Sequence, residues 1–322
     1  MSRSPRVVII YSRERRLTIC KHRTRDSNKH AYLLVAGMTA AATLLPPPAS
    51  AQFSAEQRPC FAGDEVPSET RVGACTAIIE ANGTSARNLS AALIRRGNIY
   101  FATQDYDRAF QDYDQAIKAT PDSAIAFHNR GLVHHRKSRY DRAIEDYDQA
   151  VRLDPKYAAA FVNRGNAHRM KGQYDRAIED CSQAIALNPN LALAFFTRAL
   201  AYQDRAQWDF DAYLRPGRYE DLAIHDYDET IRLNPKNTDA FRNRGSLYAK
   251  ARQYDRAIAD FDEAIRIDPN LAPAFVGRGL ALRYAGQYDR AIADYRKALT
   301  LKVDAGTKRQ IELGLKQLGA AP

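Results

Sequence analysis

Residues 158–191 read AAAFVNRGNAHRMKGQYDRAIEDCSQAIALNPNL. Tyr174, Ala177, Ile178, Cys181, Ala184 and Ile185 recur there at intervals of three and four, which places them on one face of a helix. Asn188-Pro189 ends that helix, because the residue before proline disfavours the helical region. Upstream, Phe161, Gly165 and His168 mark the face of a first, shorter helix, and Gly172-Gln173 supplies the turn between the two. Asp175 falls in the first turn of the second helix, where the dipole favours a carboxylate. The stretch is therefore a helix–turn–helix whose small residues, Gly165, Ala177 and Ala184, let the two axes approach closely.

The same pattern recurs along the chain. Copies of Tyr-Asp-Arg-Ala begin at Tyr106, Tyr140, Tyr174, Tyr254 and Tyr288, and a degenerate copy runs from Tyr219 to Ala223. Phe127, Phe161, Phe195, Phe241 and Phe275 share one place in the repeat. Gly97, Gly131, Gly165, Gly245 and Gly279 share another, with Ala199 as the sixth, and Pro121, Pro155, Pro189, Pro235 and Pro269 close their units. One helix pair buries too little surface to stand alone, so neighbours must stack into a common core.

These residues resemble the tetratricopeptide repeat family, whose 34-residue pattern the third copy matches at Phe161, Gly165, His168, Ala177, Cys181, Ala184 and Pro189. The resemblance implies an all-α fold: a right-handed α-solenoid of six stacked helix–turn–helix units with helical caps. The units expected are 90–123, 124–157, 158–191, 192–237, 238–271 and 272–305. Residues 52–89 precede them as a linker and capping helix, and 306–322 follow as a second cap and tail.

Two departures from the family pattern carry information. Where the family has Leu before the Gly-type residue, this chain has Arg96, Arg130, Arg164, Arg198, Arg244 and Arg278. The second helices repeat an acid at Asp112, Asp146, Asp180, Asp226, Asp260 and Asp294. The constant register predicts a ladder of Arg–Asp contacts between packed helices, and a planar, permanently charged guanidinium suits partial burial. An anion-reading arginine row is the competing reading.

The fourth unit is longer than the others. Its extra residues lie within Asp204–Glu220 and include Trp208, Phe210 and Tyr213, read either as local aromatic packing or as a partner-binding knob. Cys60 and Cys75 precede the repeats and are candidates for a disulfide closing a short loop, ahead of a helix expected over Glu69–Glu80. Cys181 stands where other copies have Tyr or Phe and reads as a buried thiol. Thr307–Leu318 puts Ile311, Leu315 and Leu318 on one stripe, as a terminal capping helix would.

The full chain has 322 residues and a formal charge of +10, but residues 1–51 hold nine Lys+Arg against two Asp+Glu. Without that leader the electrostatic footprint of a nucleic-acid binder is missing, and no nucleic-acid partner is expected. Ala31–Leu45 runs without a charge, followed by Pro46-Pro47-Pro48 and Ala49-Ser50-Ala51. A positive flank, a short apolar core and small residues at a cleavage site read as a secretory signal over 1–51, cut before Gln52. A buried core helix and a retained anchor are the competing readings, though the apolar run covers only about 22 Å of a roughly 30 Å bilayer core. The basic region is long for a signal, which points to a translation start between Val7 and Lys29. The expected location is therefore the periplasm or cell envelope, with no stable membrane span after cleavage.

No phosphate-binding loop, HExxH or nucleophile elbow occurs in the sequence, so no catalytic residue, metal or cofactor is assigned. The resemblance implies a concave groove lined by the first helices, for a protein or peptide partner. Carrying the family's groove positions over gives Asn98, His128, Leu132 and His135 in the first two units, and Val162, Asn166 and Arg169 in the third. Phe196, Leu200 and Gln203 follow in the fourth, Arg242, Ser246 and Lys250 in the fifth, and Leu280 and Arg283 in the sixth. The clamp that some members close on a partner's C-terminal carboxylate is incomplete, since Ile94 and Val162 stand at its Lys place. The leading expectation is a non-catalytic adaptor. A metal-binding or enzymatic protein using the groove histidines, and a purely structural envelope spacer, are the alternatives.

Overall fold

The computed structural model describes residues 53–207 and 217–321. The leader and the knob residues Trp208, Phe210 and Tyr213 lie outside the described residues. Within them are fourteen α-helices, one short 3-10 turn at Arg58–Phe61 and no strand. In chain order these are α1 (Ser68–Glu80), α2 (Ala86–Ala102), α3 (Tyr106–Ala119), α4 (Ala124–Arg136), α5 (Tyr140–Leu153), α6 (Ala158–Met170) and α7 (Tyr174–Leu187). Then come α8 (Ala192–Arg205), α9 (Arg218–Leu233), α10 (Thr238–Lys250), α11 (Tyr254–Ile267), α12 (Ala272–Tyr284), α13 (Tyr288–Thr300) and α14 (Ala305–Gln317). Each first helix packs on the second helix that follows it, from α2 on α3 to α12 on α13, and each second helix packs on the next unit. The architecture is an all-α solenoid. The first repeat helix, α2, starts at Ala86, ahead of the expected residue 90, because Ser85 caps it by accepting from the Asn88 amide.

Two local devices set the beat. Thr120, Asp154, Asn188, Asn234 and Asp268, each before a proline, are extended with ψ between 84° and 94°, so the second helices stop there. The turn inside a unit uses one left-handed residue: Gln104, Ser138, Gly172, Arg252 or Gly286. Glycine takes that conformation freely, whereas Arg252 at φ 60° holds it at a cost of about 1 kcal/mol.

Close helix approach follows from the repeated glycine. A Cβ on Gly97 or Gly131 would stand 2.7 Å from a ring carbon of Tyr113 or Tyr147, and on Gly279 it would stand 2.9 Å from Tyr295. Those rings are buried against the opposite helix because the glycine leaves room. In the third unit Cys181 takes the ring's place and is fully buried. Burial in this apolar setting pushes its thiol pKa up, so it behaves as a small hydrophobe.

The ends are closed. Helix α1 packs on α2, and Cys60 and Cys75 are joined by a disulfide that ties the 3-10 turn to α1. At the other end α14 lies against α13 through the buried Ile311 and Leu315, with Leu318 partly buried beside them. No helix among the described residues is long and apolar enough to cross a membrane.

Candidate functional site

The arginine row is structural, and it extends further than the sequence predicts. Nε and Nη2 of Arg130 donate to both carboxylate oxygens of Asp146 at 3.0 and 2.7 Å. The same two-pronged pairing joins Arg96 to Asp112, Arg164 to Asp180, Arg198 to Asp226, Arg244 to Asp260 and Arg278 to Asp294. The remaining prong, Nη1, reaches back into the preceding unit. It donates to Asp114 from Arg130, Asp148 from Arg164, Asp228 from Arg244 and Asp262 from Arg278. Arg198 finds Ser182 there, and Arg96 finds Thr76 of the N-terminal cap. Each guanidinium thus pins both the pair it belongs to and the stacking of that pair on its neighbour, leaving no free fork for an external anion.

Successive first helices approach one another, α2 with α4, α4 with α6, α6 with α8 and α10 with α12, while no successive second helices come as close. The first helices therefore lie on the inside of the curve. That closeness corrects part of the groove assignment. His128, Leu132, His135, Val162, Asn166 and Phe196 are buried, because neighbouring first helices bring these places into the seam between units. They hold the stack together and present no surface to a partner.

The polar members of the seam form a network. Tyr113 donates its hydroxyl proton to Asn98 Oδ1 at 2.8 Å, and Asn129 Nδ2 donates to the same oxygen at 2.9 Å. His128 Nδ1 lies 3.1 Å from both Asn129 Oδ1 and the Tyr157 hydroxyl, and its Nε2 lies 2.8 Å from Asn163 Nδ2. An amide nitrogen only donates, so Nε2 is the acceptor and the proton sits on Nδ1. Burial depresses the His128 pKa to about 4. Burial does the same for His135, also to about 4, with Arg136 and Arg169 adding to the effect. Both rings are neutral near pH 7. Among the described residues no group of three or more His, Cys, Asp or Glu side chains is placed to hold a metal ion.

Of the other positions, Asn98, Arg169, Leu200, Gln203, Arg242 and Arg283 are half-buried, and Ser246, Lys250 and Leu280 are exposed. Most of the polar ones are already engaged. Arg169 bonds Asp204 at 2.6 Å, Gln203 accepts from Tyr227, Arg242 pairs with Asp239, Lys250 with Glu220, and Arg283 with Gln317. Three accessible residues were missed by the transfer of positions. Arg136 and Tyr284, one place beyond the last transferred position of their helices, are exposed, Tyr284 to 58%. Tyr288, at the start of α13, is exposed to 56%. Among the described residues five large apolar side chains are exposed: Leu280 at 40%, Tyr284 and Tyr288 in the sixth unit, Leu313 at 55% on α14, and Leu222 at 39% on α9.

Family models described as tetratricopeptide repeat match residues 86–124, 94–158, 128–192, 238–271 and 272–303, more than half of the chain. No curated protein matches it significantly. Among solved structures, the Pseudomonas aeruginosa pilF protein is similar with a TM-score of 0.60 at 17% identity, over 71% of this chain and 98% of that one. A tetratricopeptide repeat protein from Parabacteroides merdae is similar with a TM-score of 0.56 at 19% identity, over 77% and 92%. At such identities the likeness speaks to the fold alone. Together with the repeat matches and the packed helix pairs, it establishes that the chain belongs to the tetratricopeptide repeat family, a family of protein–protein interaction scaffolds that are in general not enzymes.

Proposed function

We propose that the protein is an exported adaptor that binds a polypeptide partner on its inner face, with the principal anchor in the sixth unit. The observation that carries this reading is the concentration of Leu280, Tyr284 and Tyr288 at the surface, where the seam of the earlier units is closed by its own side chains. Aromatic residues exposed in a cluster are the usual anchors of an interface. Ser246 and Lys250, exposed on the first helix of the fifth unit, continue the accessible surface with polar groups.

Export is supported by the leader and by the Cys60–Cys75 bridge, because disulfides persist in oxidising compartments. Mass spectrometry of the protein from its native cells tests this directly: a chain beginning at Gln52 fits, and a chain retaining the leader does not. Partner binding is tested by capture from envelope extract. Leu280→Ala combined with Tyr284→Ala removes the captured protein, whereas Glu145→Ala on the second helix α5 retains it. Equal capture by both variants refutes the sixth unit as the anchor.

A further inference from the structure

A second row of ion pairs crosses the unit boundaries at the other rim of the turns. A cation at the end of a first helix, or one residue past it, reaches the acid in the first turn of the preceding second helix. Lys137 pairs with Asp107, Lys171 with Asp141 and Arg205 with Asp175. At the next boundary Ala251 holds that place, and Lys250, one position earlier in the repeat, takes Glu220 at 2.6 Å instead. In the first three pairs the acids are 76–86% exposed, but the cationic side chains are only 23–30% exposed. Their aliphatic stems lie against the neighbouring unit and only the charged heads meet the carboxylates.

The row breaks between the fifth and sixth units. Ala285 stands at the place of Lys137 and Lys171, and the acid it should meet, Asp255, makes no ion pair among the described residues. Beside Ala285 there is instead an open surface recess of about 710 Å³, lined by Arg252, Gln253, Tyr254, Asp255, Arg256 and Ala285. The Tyr254 ring stacks on that of Tyr284, with centroids 5.8 Å apart and planes 13° from parallel, so an aromatic wall stands beside the recess. Arg256 also lines the recess, donating to Gln253 Oε1 at 3.1 Å and lying over the Tyr248 ring.

We propose that this recess is a socket for a lysine or arginine side chain of the bound partner. The cationic head meets the Asp255 carboxylate and the stem lies along Tyr254, repeating in trans the contact that the chain makes with itself at four earlier boundaries. An aromatic face adds attraction for a cation close to it. The other charges lining the recess, Arg252 and Arg256, favour an anion instead, so the charge of the probe decides between the two. The socket deepens the partner-binding reading, since it adjoins the exposed Tyr284 and selects a basic residue within the bound segment.

The test is amide chemical-shift titration of the purified protein with end-blocked Gly-Gly-Lys-Gly-Gly, beside the norleucine and glutamate analogues. Saturable shifts at Tyr254, Asp255 and Ala285 are expected for the lysine peptide, with at least tenfold weaker response to the norleucine one. Asp255→Asn abolishes them. Ala285→Lys, which restores the missing cation in cis, also blocks them, and both sites are solvent-accessible enough for the fold to persist. Glutamate binding as strongly as lysine, lysine shifts that survive both variants, or no shift at all overturns the proposal. Loss of envelope capture with the lysine-dependent shifts intact refutes the partner reading alone, and the converse result refutes the socket alone.

Discussion

Replacing Arg130 by Met keeps most of the stem's packing and removes the fork that joins two units. Asp146, with a side chain only 6% exposed, then loses two charge-assisted bonds, while Asp114, at 29%, loses one. Breaking a fully buried pair costs about 3–5 kcal/mol. The Arg130 side chain is 21% exposed, which admits water and screening, so about 2–3 kcal/mol is the expected loss. Asp114→Ala removes only the bond across the boundary, between more exposed groups, and should cost less than about 1 kcal/mol. Urea unfolding followed by circular dichroism reads both, provided the slope with denaturant is unchanged between variants. The double variant Arg130→Met/Asp146→Leu should recover much of the loss, because an apolar pair leaves no buried charge behind. A cost below about 0.5 kcal/mol for Arg130→Met, or strict additivity in the double variant, would refute the ladder as a stabilising element.

Three further outcomes are expected. Tyr113→Phe should cost about 0.5–1.5 kcal/mol by losing its bond to Asn98, whereas Tyr147→Phe should be neutral or stabilising, because Leu132 replaces that asparagine and the Tyr147 hydroxyl is buried without a partner; thermal unfolding of the two variants compares them. The folded pKa values of His128 and His135, near 4, lie below the ordinary 6.5, so the unfolded chain takes up protons first as pH falls. Stability is then complete above pH 6.5 and drains as pH drops towards 4, by about 2–3 kcal/mol per histidine at pH 4.5, and His128→Gln with His135→Gln should flatten that slope in unfolding curves taken across the range. Reduction of the Cys60–Cys75 bridge should free a loop of 15 residues and loosen the N-terminal cap, with a model value of about 3 kcal/mol; thiol labelling of residues 52–322 without reductant should find one thiol, Cys181, and only after unfolding.

The fold was legible because every unit must solve the same packing problem with the same residues. A small residue opposite a large one, alanines where the helices cross and a proline at five of the six exits recur in constant register, and any one copy explains most of the others. The half of the ladder inside a unit was legible for the same reason. The half between units was written just as regularly, at Asp114, Asp148, Asp228 and Asp262, but its meaning depends on how far one pair turns upon the next. The inner face suffered from that same dependence. His128 and Val162 look like groove residues along a single helix and become seam residues once the next first helix closes over them. Tyr284 escaped because its place, at the end of a first helix, lies one position beyond the groove place carried over at Arg283, although Arg136 and Lys250 are exposed at the same place in their units.

Site-directed photocrosslinking in the native cell tests the central claim most directly, with a benzoylphenylalanine placed at Tyr284 at the end of the first helix of the sixth unit or at Glu145 on the second helix of the second unit. The account predicts a discrete protein adduct from position 284 and none from position 145. Adducts from 145 alone, or indistinguishable adducts from both, would contradict it.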